Sequence, residues 1–292
     1  MSAAGVLYVV ATPIGNRSDL SPRAREILAS VDLIAAEDTR HTGAFLSQLG
    51  IERPFVSFHE HNEHERVAEL VQRLTDGARI ALVSDAGTPL VSDPGFRLVA
   101  AAGVAGILVV PIPGACAAIA ALSVAGLPTD RFVFEGFLPP RGAKRRARLD
   151  ALVSEVRTLV FYEAPHRLAD MLRDVSATFG TERPAAVARE LTKMHETVYR
   201  GTIGALVSAA ESDINMTRGE AVVIVAGKSV EEVALDAGLP LTSAWLTALL
   251  SELPLSRAVD IVTAVTGERR NAVYQQALQI KAVSEVNSPH KA

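Results

Sequence analysis

The chain has 292 residues, 49% of them hydrophobic and 21% charged, which excludes a disordered or collagen-like polypeptide. Its formal charge of −4 excludes a uniformly basic, nucleic-acid-coating protein but leaves room for a local basic patch. The single cysteine, Cys116, rules out an intramolecular disulfide, and no basic region precedes the first apolar run, so a cytoplasmic, non-secreted protein is expected.

The length suggests two domains with room for a small third. No charged residue lies between Arg97 and Asp130, but Pro111, Pro113 and Gly114 interrupt that stretch. It therefore reads as buried elements and not as a membrane span.

The first 125 residues alternate short apolar runs with helical patterns. Val6–Val10 is a buried strand followed by the turn TPIGN. Ser21 and Pro22 read as the cap and first residue of a helix. Leu33–Ala36 is a second strand, running into EDTR (Glu37–Arg40), whose strand-end position favours substrate contact slightly over a solvated turn, and Pro54–Ser57 is a short third. Asn62 with Glu65 looks like a capping box for a helix to about Thr75. Arg79–Ser84 is the clearest strand. Asp93 and Pro94 again read as cap and first helical residue. Ile107–Val110 is a strand, and Cys116–Val124 is Ala-rich and helical. Strands alternating with helices imply a parallel sheet covered on both faces.

Phe132–Phe137 begins a second unit, with Pro139 and Pro140 ending that strand. RGAKRRAR (Arg141–Arg148) follows, with five basic residues and no acid. Thr158–Tyr162 is a strand and Pro165–Phe179 a helix. Pro184–Arg189, His195–Gly201 and Glu220–Ala226 are further strands, so this unit is α/β with a mixed sheet. After Gly227 the pattern is helical: Thr242–Glu252, Leu255–Val265 and Asn271–Lys281, separated by turns at Pro254 and Gly267. The expected architecture is α/β with two domains, spanning 1–125 and 126–230, and a helical appendage spanning 240–285.

The sharpest chemical feature is SDAGTPLVSDPG (Ser84–Gly95), at the carboxyl end of a buried strand. Ligands bind outside those ends in open parallel sheets. Asp85 can accept hydrogen bonds from ribose hydroxyls or an amine, and Gly87 lets the backbone approach a ligand. TPIGN and PIPGACAA (Pro111–Ala118) are two more glycine-bearing loops after strands. Three such loops at one sheet edge point to a nucleoside-type ligand, although each alone is equally well a plain turn.

Several motifs point elsewhere and are set aside. The dinucleotide fingerprint G-x-G-x-x-G follows none of the strands, and the Ala226–Ser229 imitation of a P-loop lacks its earlier glycine. HEHNEHE (His59–Glu65) straddles a loop and a helix start, which suits a solvated loop and cap, or a polar substrate rim, better than a metal site. The basic run Arg141–Arg148 is either a solvated helix face or a phosphate contact.

The strings VATPIGN, AEDTR, SFHEHNE, ALVSDAGTPLVSDPG, PIPGACAAIAAL, FEGFLPPRG, FYEAPHRL, RELTKMHETVYRGT and GEAVVIVAG occur in order from about Leu7 to Gly227. With them the chain resembles the tetrapyrrole methylase-like superfamily of S-adenosylmethionine-dependent methyltransferases. SDAGTPLVSDPG and the PHR/RELTK pair resemble its ribosomal-RNA branch, which methylates the ribose 2′-hydroxyl of a cytidine in the decoding region of small-subunit (16S) RNA.

That resemblance implies S-adenosyl-L-methionine between two α/β domains, in a homodimer. It implies cofactor contacts from Ser84, Asp85, Ala86, Gly87, Thr88, Pro113, Cys116, Ala117, Tyr162, Leu191 and Gly219. Relatives often carry Ser or Thr where Ala115 and Cys116 stand, so a hydroxyl contact is expected to be missing here.

Methyl transfer needs in-line alignment of oxygen, methyl and sulfur, and help in removing the hydroxyl proton. The candidates for that help are Glu190, Lys193, Glu163 and Asp38; Lys193 would need a lowered pKa to act as a base. No metal is required, since the cofactor carries the electrophile. Contacts to the RNA or to an assembled small ribosomal subunit are expected from Asn16, Arg40, Arg141, Lys144, Arg145, Arg146, Arg148, Arg257, Arg269 and Arg270. Two rival readings are a tetrapyrrole or other small-molecule methyltransferase of the same fold, and a non-catalytic RNA-binding assembly factor.

Overall fold

A computed structural model describes residues 5–229 and 241–286. Five strands, β1 (Val6–Val10), β2 (Leu33–Ala36), β3 (Phe55–Ser57), β4 (Arg79–Val83) and β5 (Leu108–Ile112), form one sheet in the order β3-β2-β4-β1-β5. Every pairing in it is parallel. The near-continuous apolar runs explain this, because a strand buried on both faces cannot alternate polar and apolar residues. Alternate side chains feed two cores. Leu7, Leu33, Ala35, Ile80 and Leu82 pack on one face with Phe58, Leu70 and Leu98. Val10, Ile34, Ala36, Ala81 and Val83 pack on the other with Leu28 and Leu46. Each Val, Leu, Ile or Phe among them contributes roughly 1.5–3 kcal/mol when fully buried. Strand β5 is an edge strand and contains the exposed Pro111.

Helices connect these strands. The α1 helix (Pro22–Ser30) starts as expected, with the Ser21 hydroxyl accepting from the Ala24 amide at 3.1 Å. EDTR leads into an unanticipated helix, α2 (Thr39–Gln48), whose cap is Asp38; its carboxylate accepts from the amides of Arg40 and His41. Helix α3 (Glu63–Thr75) has Asn62 at its cap but no capping box. The Asn62 side chain instead joins the preceding loop, accepting from the His59 amide and donating to the Ser57 carbonyl.

The Asp93-Pro94 expectation is also corrected. Helix α4 (Phe96–Val104) begins after Gly95, whose φ of +135° is a conformation an L side chain rarely adopts. Glu63, from the neighbouring helix, accepts from the amides of Gly95 and Arg97 and so does the work assigned to Asp93.

The second sheet has the order β6-β7-β10-β8-β9, from β6 (Phe132–Phe137), β7 (Thr158–Glu163), β8 (Pro184–Arg189), β9 (Thr197–Thr202) and β10 (Ala221–Val225). Strands β6 and β7 are parallel and the other pairs antiparallel, so the sheet is mixed. Helix α5 (Ala117–Ala125) leaves the first sheet and lays Ala118, Ala121, Leu122 and Ala125 on Val160, Ala186, Ala188, Val222 and Ile224 of the second. Helices α6 (Gly142–Asp150), α7 (Leu168–Phe179) and α8 (Ile203–Ser212) pack in succession on one another, α8 also on β8 and β9, and contribute nothing to the α5 cluster; α8 is unanticipated from the sequence.

Both sheets lie in one compact unit, the chain up to Asp150 with Thr158–Val225. A second unit joins Ala151–Arg157 to the described residues from Ala226 onward. In it α9 (Leu241–Leu250), α10 (Leu255–Thr266) and α11 (Arg270–Val286) enclose Leu246, Val259, Val262, Val273 and Ala277. The expected boundary between residues 230 and 240 lies outside the described residues. No helix among the described residues is long and apolar enough to cross a membrane.

Candidate active site

The loops after β1, β4 and β5 meet at the carboxyl edge of the first sheet. The amides and carbonyls of Thr12 and Gly87 exchange hydrogen bonds at 2.9 and 3.1 Å. The Thr88 hydroxyl donates to the Ala115 carbonyl at 2.9 Å. The TPIGN loop also reaches the second sheet. A Cβ added at Gly15 would lie 2.4 Å from Lys193 Cγ and 2.9 Å from Thr192 Oγ1, so only glycine permits this approach. Beside it, the Asn16 amide donates to Thr192 Oγ1 at 3.1 Å.

These loops and the edge of the second sheet enclose a cavity of about 450 Å³, within the range of small-molecule sites. Ile14, Ala117, Ala188, Leu191 and Val222 supply apolar wall, and Tyr162 and Phe137 an aromatic one. Phe134 and Phe137 pack edge-on to Tyr162, with ring centroids 4.9 and 5.6 Å away. The Tyr162 hydroxyl accepts from the Ala118 amide at 3.1 Å. Burial, with Cys116 beside it, holds the Tyr162 pKa well above the usual phenol value.

The charge of the wall is one-sided. Glu37, Asp85, Asp93, Glu163 and Glu220 line the cavity, and no Lys, Arg or His does so among the described residues. Burial and the neighbouring Asp93, Asp85 and Glu60 push the Glu37 pKa up. Burial and Asp85 raise that of Asp93 despite a hydrogen bond from Ser84. Asp85 is held by the Asp38 amide at 3.0 Å.

Backbone strain collects in the same place. The described non-glycine residues with positive φ are Leu90, Ser92, Glu190 and Thr192, all in the two loops flanking the cavity. Such conformations cost on the order of 1–3 kcal/mol each and persist only where surrounding contacts enforce them.

The tetrapyrrole (corrin/porphyrin) methylase family matches residues 6–207. The chain belongs to the tetrapyrrole methylase family. The RsmI C-terminal HTH domain matches residues 236–281. The Pseudomonas aeruginosa protein named ribosomal RNA small subunit methyltransferase I is 53% identical, covering 95% of this chain and 98% of its own. The identically named Haemophilus influenzae protein is 50% identical over 94% and 96%. In fold, the methylase chain is similar to the methyltransferase CobJ, with a TM-score of 0.56 at 18% identity over 77% of this chain and 95% of that one. It is also similar to a Thermus thermophilus uroporphyrin-III C-methyl transferase complexed with S-adenyl homocysteine, with a TM-score of 0.52 at 17% identity over 76% and 97%.

Of the expected cofactor contacts, Asp85, Ala86, Gly87, Thr88, Cys116, Ala117, Tyr162 and Leu191 line the methylase cavity. Ser84, Pro113 and Gly219 do not line it: the Ser84 hydroxyl is shared between the carbonyls of its own loop and Asp93, and Gly219 backs onto the Glu190 carboxyl. The wall residues outside those expectations include Ile14, Glu37, Asp93, Phe137, Ala188, Glu220 and Val222.

The proton-transfer candidates separate. Asp38 is a helix cap bound to Arg40, and those hydrogen bonds hold its carboxyl below the usual range. The Lys193 ammonium sits 3.0 Å from Glu190 and 2.9 Å from Glu220. Burial works against the Lys193 charge, but the two carboxylates outweigh it and raise its pKa, the reverse of what a lysine base requires. Burial likewise opposes ionisation of Glu190, yet the Glu220 amide and Lys193 outweigh it and lower its pKa. Glu163 lines the cavity, but its buried carboxylate is engaged by the Ala164 amide and Arg167; burial raises its pKa.

The basic run separates too. Arg145 is buried against Asp174 at 2.6 Å, Arg146 shares that acid, and Arg148 pairs with Glu135 at 2.7 Å. Arg141 and Lys144 are exposed. In the helical unit Arg270 pairs with Asp260, while Arg257 and Arg269 are exposed.

Proposed function

We propose that this protein transfers a methyl group from S-adenosyl-L-methionine to the ribose 2′-hydroxyl of a cytidine in the decoding region of small-subunit ribosomal RNA. The observation that carries the cofactor is the cavity wall, with its five carboxylates and no basic side chain among the described residues. A phosphate-bearing cofactor meets repulsion there, whereas a ligand with a sulfonium and an ammonium is attracted. Asp85 keeps a second carboxylate oxygen for ribose hydroxyls, and the wall from Ile14 to Phe137 suits a flat base. When bound, the cofactor supplies an electrophilic methyl group.

RNA as the substrate rests on the names of the curated relatives and on exposed basic side chains. Arg40 is 91% exposed at the start of α2, and Arg141, Lys144, Arg257 and Arg269 are free of ion pairs among the described residues. Phosphate contacts by such groups make binding fall steeply with salt. The proposal extends to a cytoplasmic homodimer acting on the assembled 30S subunit.

The test is radiolabelled methyl transfer to small ribosomal subunits from a strain lacking the enzyme, followed by nucleoside analysis. Label on the 2′-oxygen of cytidine is the expected result. Cofactor binding with no label in RNA sends the search to tetrapyrroles and other small acceptors. Product formation that vanishes in Asp85→Ala separates an enzyme from an assembly factor.

A further inference from the structure

The geometry points to Glu37 as the catalytic residue that takes the proton from the acceptor hydroxyl. The assignment rests on the methyltransferase reading above and concerns a residue outside the sequence-derived candidates.

Five carboxylates line the cavity, and four of them are occupied. Asp85 is held by the Asp38 amide, Asp93 by Ser84, Glu163 by Arg167 and the Ala164 amide, and Glu220 by Lys193. Glu37 alone among these five has no hydrogen bond or ion pair to the described residues; what acts on it is burial and the charge of Asp93, Asp85 and Glu60. The neighbouring cation, Arg40, is turned onto Asp38. Glu37 thus presents an uncommitted carboxylate to the cavity, at the end of a buried strand whose next amide is pinned to Asp85. A base must be free to accept a proton and basic enough to keep it during transfer. Like-charged neighbours and partial burial supply that basicity.

The step balances. A lone pair on the hydroxyl oxygen forms the O–C bond to the methyl carbon. The S–C bond breaks with its electron pair going to sulfur, which becomes a neutral thioether. The O–H proton passes to a Glu37 carboxylate oxygen. The positive charge lost at sulfur reappears as that proton, on a side chain whose acidic neighbours favour the neutral form.

The experiment compares wild type, Glu37→Gln and Glu37→Asp. It measures S-adenosylmethionine affinity by calorimetry and single-turnover methyl transfer to small ribosomal subunits across pH 5–9. Glu37→Gln should bind the cofactor within about threefold of wild type and lose roughly 10²–10⁴-fold in rate, the range typical of a lost general base. Wild type should rise with pH through an ionisation above the usual carboxylate value and level off; Glu37→Asp should keep that limb at reduced rate, and Glu37→Gln should lose it. A Glu37→Gln enzyme that turns over at the wild-type rate overturns the assignment and leaves the methyltransferase reading intact. So does a Glu37→Gln protein that no longer binds the cofactor, which makes Glu37 a binding residue. A wild-type protein that binds the cofactor but labels no RNA overturns the reading itself, and the assignment with it.

Discussion

The hydroxyl of Tyr162, on a strand of the second sheet, accepts a hydrogen bond from the amide of Ala118, in the first turn of the helix that leaves the first sheet. Ala118 is buried, and first-turn amides have no partner within their own helix. Tyr162→Phe keeps the ring packing and orphans that amide. The expected cost is about 1–3 kcal/mol of stability, read by urea denaturation, with weaker cofactor binding by calorimetry. Unchanged values on both would mean that water replaces the hydroxyl at no cost.

Gly15 is where the loop of one sheet touches the RELTK turn of the other. Gly15→Ala forces Lys193 Cγ and Thr192 Oγ1 aside. Displacements of this kind cost about 1–3 kcal/mol. The loss should fall on cofactor affinity, by about tenfold or more, with a smaller change in melting temperature.

The basic run should divide by function under alanine substitution. Arg145→Ala leaves the mostly buried Asp174 carboxylate with only the exposed Arg146, so about 3–5 kcal/mol of stability should be lost. Arg141→Ala and Lys144→Ala should leave the melting temperature unchanged. They should instead lower RNA affinity and reduce the slope of log affinity against log salt, each by about one ion. Filter binding at several salt concentrations checks this.

The Glu190–Lys193–Glu220 network sets a pH window. The folded-state pKa of Glu190 lies below its ordinary value of 4.5, so its contribution is complete above about pH 4.5 and disappears as the pH falls through the folded pKa. That of Lys193 lies above 10.5, so its contribution is complete below that pH and is lost as the pH rises through the folded pKa. Lys193→Met should therefore be less stable than wild type between about pH 5 and 10. The gap should narrow below pH 4.5 in denaturation curves run at each pH.

Most strands were legible because their apolar runs and flanking turns agree, as at Val6–Val10 and Ala221–Val225. Local signals failed where a distant side chain took over. Asp93 carries the right residue type for a helix cap, yet Glu63 from another helix fills that role and frees Asp93 to face the cavity. The same ambiguity hid Glu37. In EDTR one carboxylate caps a helix and its neighbour lines the site, and sequence spacing does not say which is which. The α2 and α8 helices escaped notice because Gly43 and Gly204 weaken their patterns, while the caps Asp38 and Thr202 lie among polar residues suited equally to a turn. Lys193 looked available for chemistry because its two carboxylate partners arrive from 3 and 27 residues away, on opposite sides of a sheet connection.

Pro111 carries a consequence for how the molecule behaves in a crowded solution. A parallel sheet must end somewhere, and an open edge invites another extended chain to dock on its unpaired amides and carbonyls. On this edge strand a proline stands in the run LVVPI, offering no amide donor and holding its ring against close approach. The β5 edge of the first sheet is thereby poorly suited to recruit a stray strand, and it stays quiet beside an exposed Leu108 that would otherwise make it adhesive.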